Sequence, residues 1–174
     1  MEAINNIMNR RSIRKFTAKE INEADLHTIL AAGMAGPSAV NTRDWSFIVV
    51  RNRDTLNAIA GEGPSRPLHT ATMAIIILAD LDRAFPPLPD FWQIDCAIAT
   101  QNMILAAHAI GIGSVYLGCY PIPERMKMIK EVFKLPDNVV PHSVIALGYP
   151  EDPRELESNN KNFFEEDRIH LEKW

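Results

Sequence analysis

A chain of 174 residues that is 47% hydrophobic can fill one sizeable core but not two, so residues 1–174 are expected to form a single domain. A net charge of -4 and a pI near 5.7 give no general attraction to phosphate backbones or anionic lipid, so nucleic acid and membrane are not expected partners. Cys96 and Cys119, the two cysteines, lack paired spacing; they suit a reducing compartment and read as small buried hydrophobes.

The first segment, Glu2 to Arg11, places Ile4, Ile7 and Met8 at helical spacing. It has charge and asparagine where an export signal would need an apolar run, and no stretch of the chain reaches the ~18 apolar residues of a membrane span, so a cytoplasmic location is expected. The segment runs into Arg10-Arg11-Ser12-Ile13-Arg14-Lys15-Phe16, where four of seven residues are cationic. Asn22 caps a second helix in which Leu26, Ile29, Leu30 and Gly33 share a face, and the helix ends before Pro37 because proline excludes helical backbone from its predecessor. A loop, Gly36 to Asp44, leads into an aromatic and β-branched strand, Trp45 to Val50. Asp54 to Gly61 is a short helix, and Met73 to Ala79 is a continuous apolar run that fits a strand buried on both faces. Asp80 to Trp92, stiffened by Pro86, Pro87 and Pro89, is expected to be an irregular loop, either a pocket wall or lid or only a connector.

Asp95 to Gly113 has helical length, Asp95 as the expected N-cap and Gly111 with Gly113 as the stop, yet its apolar residues cover every direction. Both sides must be packed, either against the same helix of a second subunit or within one chain around a central helix. If buried, Gln101, Asn102 and His108 each need a hydrogen-bond partner. Ser114 to Leu117 and His142 to Leu147 read as short strands, separated by a helix, Pro123 to Lys134, that buries Met126, Ile129, Val132 and Phe133. The pattern is α+β: a central mixed or antiparallel sheet flanked by helices. From Glu151 the chain is polar but carries Phe163, Phe164, Ile169, Leu171 and Trp174, the composition of an arm, residues 151–174, laid over a neighbouring surface, or else of a disordered end.

The sequence has no phosphate-binding P-loop, no G-x-S-x-G elbow and no H-E-x-x-H pair, and His27, His69, His108, His142 and His170 lack metal-ligand spacing. No metal site is expected. What remains is the basic cluster at the end of the first helix, where amides and guanidinium forks could hold one phosphate, or which could be a solvated turn.

The order of blocks decides between these. Arg-Arg-Ser-Ile-Arg-Lys-Phe after a first helix, then Pro-Ser-Ala-Val-Asn-Thr-Arg-Asp-Trp, then the alanine-rich helix ending Gly-Ile-Gly-Ser-Val-Tyr-Leu-Gly, then Val-Val-Pro-His-Ser-Val-Ile-Ala-Leu-Gly-Tyr-Pro and the closing Arg-Ile-His-Leu-Glu-Lys-Trp, resembles the nitroreductase family of FMN-dependent oxidoreductases across nearly the whole chain. The resemblance implies an intertwined homodimer with two FMN molecules at its interface. It implies that Arg10, Arg11 and Ser12 meet the phosphate and ribityl chain, and that Arg14 lies by the pyrimidine edge of the flavin and tunes it. Pro37, Ser38, Ala39 and Asn41 then form the loop that the second subunit lays against the ring, and Tyr116, Leu117 and Gly118 the backbone near the hydride-accepting nitrogen. Arg43-Asp44 stand where many relatives have Gln-Pro, and the family's late phosphate-binding arginine has Lys161 as its nearest counterpart. The implied activity is ping-pong electron transfer from NAD(P)H to a small acceptor such as a nitroaromatic or quinone, with no catalytic side chain. Other readings are a flavin-binding redox sensor or carrier without turnover, and a relative performing reductive dehalogenation or flavin breakdown, for which Pro86 to Trp92 is too short a lid.

Overall fold

The computed structural model describes residues 2–61, 63–157 and 163–174. In chain order the elements are α1 (Ala3–Asn9), α2 (Glu23–Met34), β1 (Trp45–Val50), α3 (Arg53–Ala60), β2 (Met73–Asp80), α4 (Trp92–Ala109), β3 (Gly113–Gly118), α5 (Pro123–Phe133) and β4 (Val139–Gly148), with short 3₁₀ turns between several of them. The strands form one antiparallel sheet in the order β1-β2-β4-β3. No helix among the described residues is long and apolar enough to cross a membrane.

The apolar run of β2 explains the layering. Successive side chains alternate across a strand, so Met73, Ile75, Ile77 and Ala79 join Ile29 of α2, Cys96, Ala99 and Met103 of α4, and Ile145 and Leu147 of β4 on one face. Ala74, Ile76 and Leu78 join Leu56 and Ile59 of α3, Ile129 of α5, Val144 and Ala146 on the other. Every residue from Met73 to Ala79 is buried, as the unbroken apolar run requires. α2 begins as expected, the Asn22 side chain accepting from the Asp25 amide.

Four expectations need correction. α4 starts at Trp92, not at Asp95, because Trp92 is buried against the sheet and the 3₁₀ turn Pro89–Phe91, with proline at its first position where no donor is needed, leads straight into the helix. Asp95 therefore lies inside the first turn of the helix and caps nothing. Residues 80–92 are accordingly not all irregular. β4 extends from Val139 through Pro141, which is accommodated by a register shift that pairs Ile77 with Ser143 and Leu78 with Pro141 and leaves His142 bulged; the His142 carbonyl instead accepts the Cys119 and Tyr120 amides at 3.2 and 2.9 Å. Val132 is exposed on α5, while Ile129 is buried.

Within one chain α4 is covered on only one side. Trp92, Cys96, Ala99, Met103, Ile104 and Ala107 are buried, whereas Ile94, Ala97 and Gln101 are exposed. Two of its polar residues are matched: Asn102 donates to the Ala32 carbonyl at 3.2 Å, and His108 Nδ1 is 2.7 Å from Asn6 Oδ1. α1 turns Asn6 and Asn9 inward, Asn6 donating to the Leu105 carbonyl, and leaves Ile4, Ile7 and Met8 exposed. Phe163, Phe164, Ile169, Leu171 and Trp174 are also exposed on this chain.

Candidate functional site

The basic segment is pinned in place by backbone contacts. The Arg10 amide donates to the Asn6 carbonyl at the end of α1, Ser12 bridges Ser114 in parallel, and the Ile13 amide donates to the Ser114 carbonyl at 2.9 Å. Further on, the Thr17 amide donates to Tyr149 and the Glu151 amide to Lys15, at 2.8 and 3.1 Å. Ile13 and Phe16 are buried, so the residues between and before them are forced outward. Gly113 permits this docking: a β-carbon there would lie 2.9 Å from Ile13 Cγ2 and 3.0 Å from its Cβ.

The consequence is a cavity of about 230 Å³ lined by Arg10 and Ser12, by Ala97, Thr100, Gln101 and Ile104 of α4, and by Ser114 and Tyr116 of β3. Strand alternation explains β3's share, since Val115 and Leu117 point into the opposite core layer. The structure thus brings together three predicted residues, Arg10, Ser12 and Tyr116. It adds Thr100, Gln101 and Ser114, which sequence reasoning missed as site residues. Gln101 carried a signal, as a polar residue on an otherwise apolar helix; Ser114 carried none beyond starting a strand.

The other predicted residues fall around this cavity rather than in it. Arg11 and Arg14 are exposed, Arg14 with Nη1 at 3.4 Å from the Ser12 carbonyl. Leu117 is buried and Gly118 half-buried. Pro37, Ser38, Ala39 and Asn41 do not line it. Their loop is held against α4 by the Asp95 carboxylate, both oxygens of which lie 3.1 Å from the Ala39 amide, and by Ser38 Oγ, which accepts the Arg43 amide at 2.9 Å. Lys161 lies outside the described residues.

Beneath the cavity runs a buried polar chain. Thr100 donates to the Cys96 carbonyl at 2.6 Å, its hydroxyl is 3.1 Å from that of Ser143, and His142 Nδ1 is 3.1 Å from Ser143 Oγ. The His142 ring stands edge-on to Tyr116 and to Trp92, with centroids 6.5 and 6.1 Å away. Burial lowers the His142 pKa to about 4, partly opposed by the Gln93 backbone, so the ring is neutral at physiological pH and poorly suited to proton transfer. Burial pushes the Tyr116 phenol up, with the Ser143 hydroxyl opposing, and pushes the Cys119 thiol up to about 11, with Arg125 opposing. Cys96, shifted upward by burial and then by Asp44 and Asp95, also stays a thiol. Both cysteines are thus inert buried residues. Among the described residues no group of three or more His, Cys, Asp or Glu is placed to hold a metal ion.

The donor set suits a phosphorylated, hydroxylated ligand: one guanidinium, the hydroxyls of Ser12, Ser114 and Tyr116, and the Gln101 amide, beside the apolar Ala97 and Ile104. FMN, with its terminal phosphate and ribityl hydroxyls, fits that chemistry. At about 230 Å³ the cavity is smaller than the roughly 300 Å³ at which cofactor pockets begin.

Known proteins resemble this chain in sequence and fold. A sequence profile described as the nitroreductase family matches residues 7–66 and 59–149. A protein of Methanothermobacter thermautotrophicus, named as a candidate NADH dehydrogenase/NAD(P)H nitroreductase, is 45% identical over 100% of this chain and 88% of its own length. The crystal structure of a candidate NADH oxidase from Clostridium acetobutylicum superposes with a TM-score of 0.91 at 37% identity, covering 97% of this chain and 99% of that one. An FMN-dependent nitroreductase from Clostridium difficile R20291 superposes with a TM-score of 0.86 at 28% identity, covering 98% and 99%. Matched by the family profile over most of its length and similar to these proteins in sequence and fold, the chain belongs to the nitroreductase family.

Proposed function

We propose that the protein is an FMN-dependent oxidoreductase that takes electrons from NAD(P)H and passes them to a small acceptor such as a nitroaromatic or quinone, working as a homodimer. The observation that carries this reading is the cavity in which Arg10, Ser12, Ser114 and Gln101 converge, a donor set matched to a phosphate and a polyol. FMN, when bound, supplies the two-electron chemistry, in a ping-pong order in which the oxidised nicotinamide leaves before the acceptor enters. The chain's own residues bind and tune. Arg10 offers the phosphate a guanidinium, and Ser12 and Ser114 offer hydroxyls to the ribityl chain, while the Thr100 hydroxyl donates inward to Cys96. Arg14 is exposed beside this cavity and supplies positive charge where negative charge develops on reduction. His142, Tyr116, Cys96 and Cys119 are all held in their uncharged forms, so the site is left to the cofactor's chemistry.

The dimer reading rests on exposed apolar surface. Ile4, Ile7 and Met8 of α1, Ile94 of α4 and the tail's Phe163, Phe164, Leu171 and Trp174 leave more apolar surface in water than one chain would tolerate. Pairing two chains covers the open side of α4 and brings the partner's 37–41 loop to the site. Denaturing the purified protein and identifying the released flavin by chromatography tests the cofactor: FMN in near-stoichiometric amount is expected, and FAD, or no flavin with no uptake of added FMN, contradicts it. Steady NAD(P)H oxidation with an added acceptor separates an enzyme from a flavin carrier.

A further inference from the structure

The loop between α2 and β1 is held in a conformation that its residues do not favour. Val40, Asn41 and Arg43 have φ of +43°, +60° and +51°, left-handed backbone that is most unfavourable for the β-branched valine. What holds it includes the Ser38 hydroxyl on the Arg43 amide, Arg43 Nη2 on the Met34 carbonyl at 3.3 Å, and Asp95 on the Ala39 amide. At the end of the loop the Asp44 carbonyl accepts the Asp80 amide at 2.8 Å. The Asp44 side chain is different. It is 0% exposed, no other residue donates to either of its oxygens, so that only its own backbone amide is near them, and its neighbour is the Asp95 carboxyl, itself 2% exposed.

A buried carboxylate that no other residue donates to, beside a second carboxyl group, is costly on two counts, desolvation and like charge. One proton removes both: as a carboxylic acid, Asp44 has an O–H to donate to Asp95, which on its other side accepts the Ala39 amide. We propose that Asp44 keeps a proton in acidic solution, donates it in a hydrogen bond to Asp95 and loses it as the solution becomes neutral, and that this contact positions the 37–41 loop. The other ionisable groups around it fit. Arg83, from the segment after β2, is the cation that favours the ionised form; on α4, Cys96 is a thiol and adds no charge. Burial first, then Asp95, raises the Asp44 pKa to about 6, against the opposing pull of its backbone hydrogen bond and Arg83.

The sign follows. Because the folded value lies above the ordinary carboxylate value of 3.8, the pair's favourable contribution is complete below that value and is lost as pH rises through about 6. At neutral pH the ionised Asp44 no longer donates to Asp95, and the loop loses that restraint. The Asp44 proton is a property of this chain alone; that the loop it positions is a wall of a flavin site rests on the function proposed above.

The test is a pH titration of the full-length protein, with and without added FMN, following the Ala39 amide by two-dimensional NMR. The expected result is a one-proton transition at Ala39 with a midpoint near pH 6, present in both samples. Asp44→Asn, which keeps a donor toward Asp95, is expected to hold Ala39 at its acidic position at every pH. An Ala39 amide that does not titrate in the wild-type protein, or one that titrates unchanged in Asp44→Asn, overturns the proposal. Failure to bind FMN overturns the proposed function and leaves the Ala39 result intact.

Discussion

Ile13 rests on Gly113 so closely that a single added methyl group would enter the space of its branched side chain, 2.9 Å from Cγ2. This contact joins the basic segment to β3 and keeps Ser12 opposite Ser114. Gly113→Ala must therefore displace Ile13, which is fully buried and stiff at its β-carbon. A loss of about 1–3 kcal/mol in stability is expected, with weaker FMN binding because Ser12 moves with Ile13. Urea denaturation and a fluorescence titration with FMN check this, and unchanged values in both would show that the docking is not what positions the segment.

Arg10 and Arg14 are expected to separate binding from tuning. The phosphate keeps its charge in both redox states, so Arg10→Ala weakens FMN binding with little change in reduction potential. In the proposed place Arg14 would meet charge that develops on reduction, and losing a charge-assisted hydrogen bond there costs roughly 1.5–3 kcal/mol, which for a two-electron couple lowers the potential by some tens of millivolts. Potentials and dissociation constants for both variants decide the matter. An unmoved potential in Arg14→Ala would refute its assigned place.

The exposed α1 residues predict the oligomer. Wild-type protein should scatter light as a dimer and gain stability with concentration. Ile7→Asp adds charge to a side chain already 50% exposed in one chain, so it should leave the fold's circular dichroism unchanged while shifting the protein toward monomer. A wild-type monomer that retains FMN at micromolar concentration is the opposite outcome.

His142 makes a prediction about acid. Its folded pKa, about 4, lies below the ordinary histidine value of 6.5, so its contribution is present above 6.5 and lost as pH falls toward 4. The shift amounts to up to about 3 kcal/mol. His142→Gln retains a polar partner for Ser143 and cannot take up the proton, so its stability should fall less between neutral and acid solution than that of the wild type. Denaturant unfolding at both ends of the range measures the difference, and equal losses would mean that His142 is not buried as a neutral ring.

Much of the fold could be read from the chain because period and composition act locally. β1 occupies Trp45–Val50 as its aromatic and β-branched residues indicate, and the apolar run at β2 is buried on both faces. The misjudged boundaries depended on tertiary packing: Trp92 adds a turn to α4 because it has a buried place to fill, and Pro141 is tolerated in β4 because His142 bulges. For the site, the run Arg10 to Ser12 was visible as grouped charge. Thr100 and Ser114 were not, since only the parallel bridge between Ser12 and Ser114 sets them facing the same space. The pairing of Asp44 with Asp95 was also hidden, because a position expected to cap a helix instead holds the loop, and the two are 51 residues apart in sequence.

In the proposed dimer each flavin site combines the Arg10 cavity of one chain with the 37–41 loop of its partner. The most direct measurement is complementation between two defective chains, Arg10→Ala and Pro37→Trp, the second placing bulk on an exposed loop residue. Each alone should bind FMN weakly. When the two are unfolded, mixed in equal amounts and refolded, heterodimers should hold one site built from the unaltered Arg10 and the unaltered loop, so that about a quarter of all sites recover tight FMN binding in equilibrium dialysis. Recovery of that fraction supports the shared site, and a mixture that binds no better than its two components contradicts it.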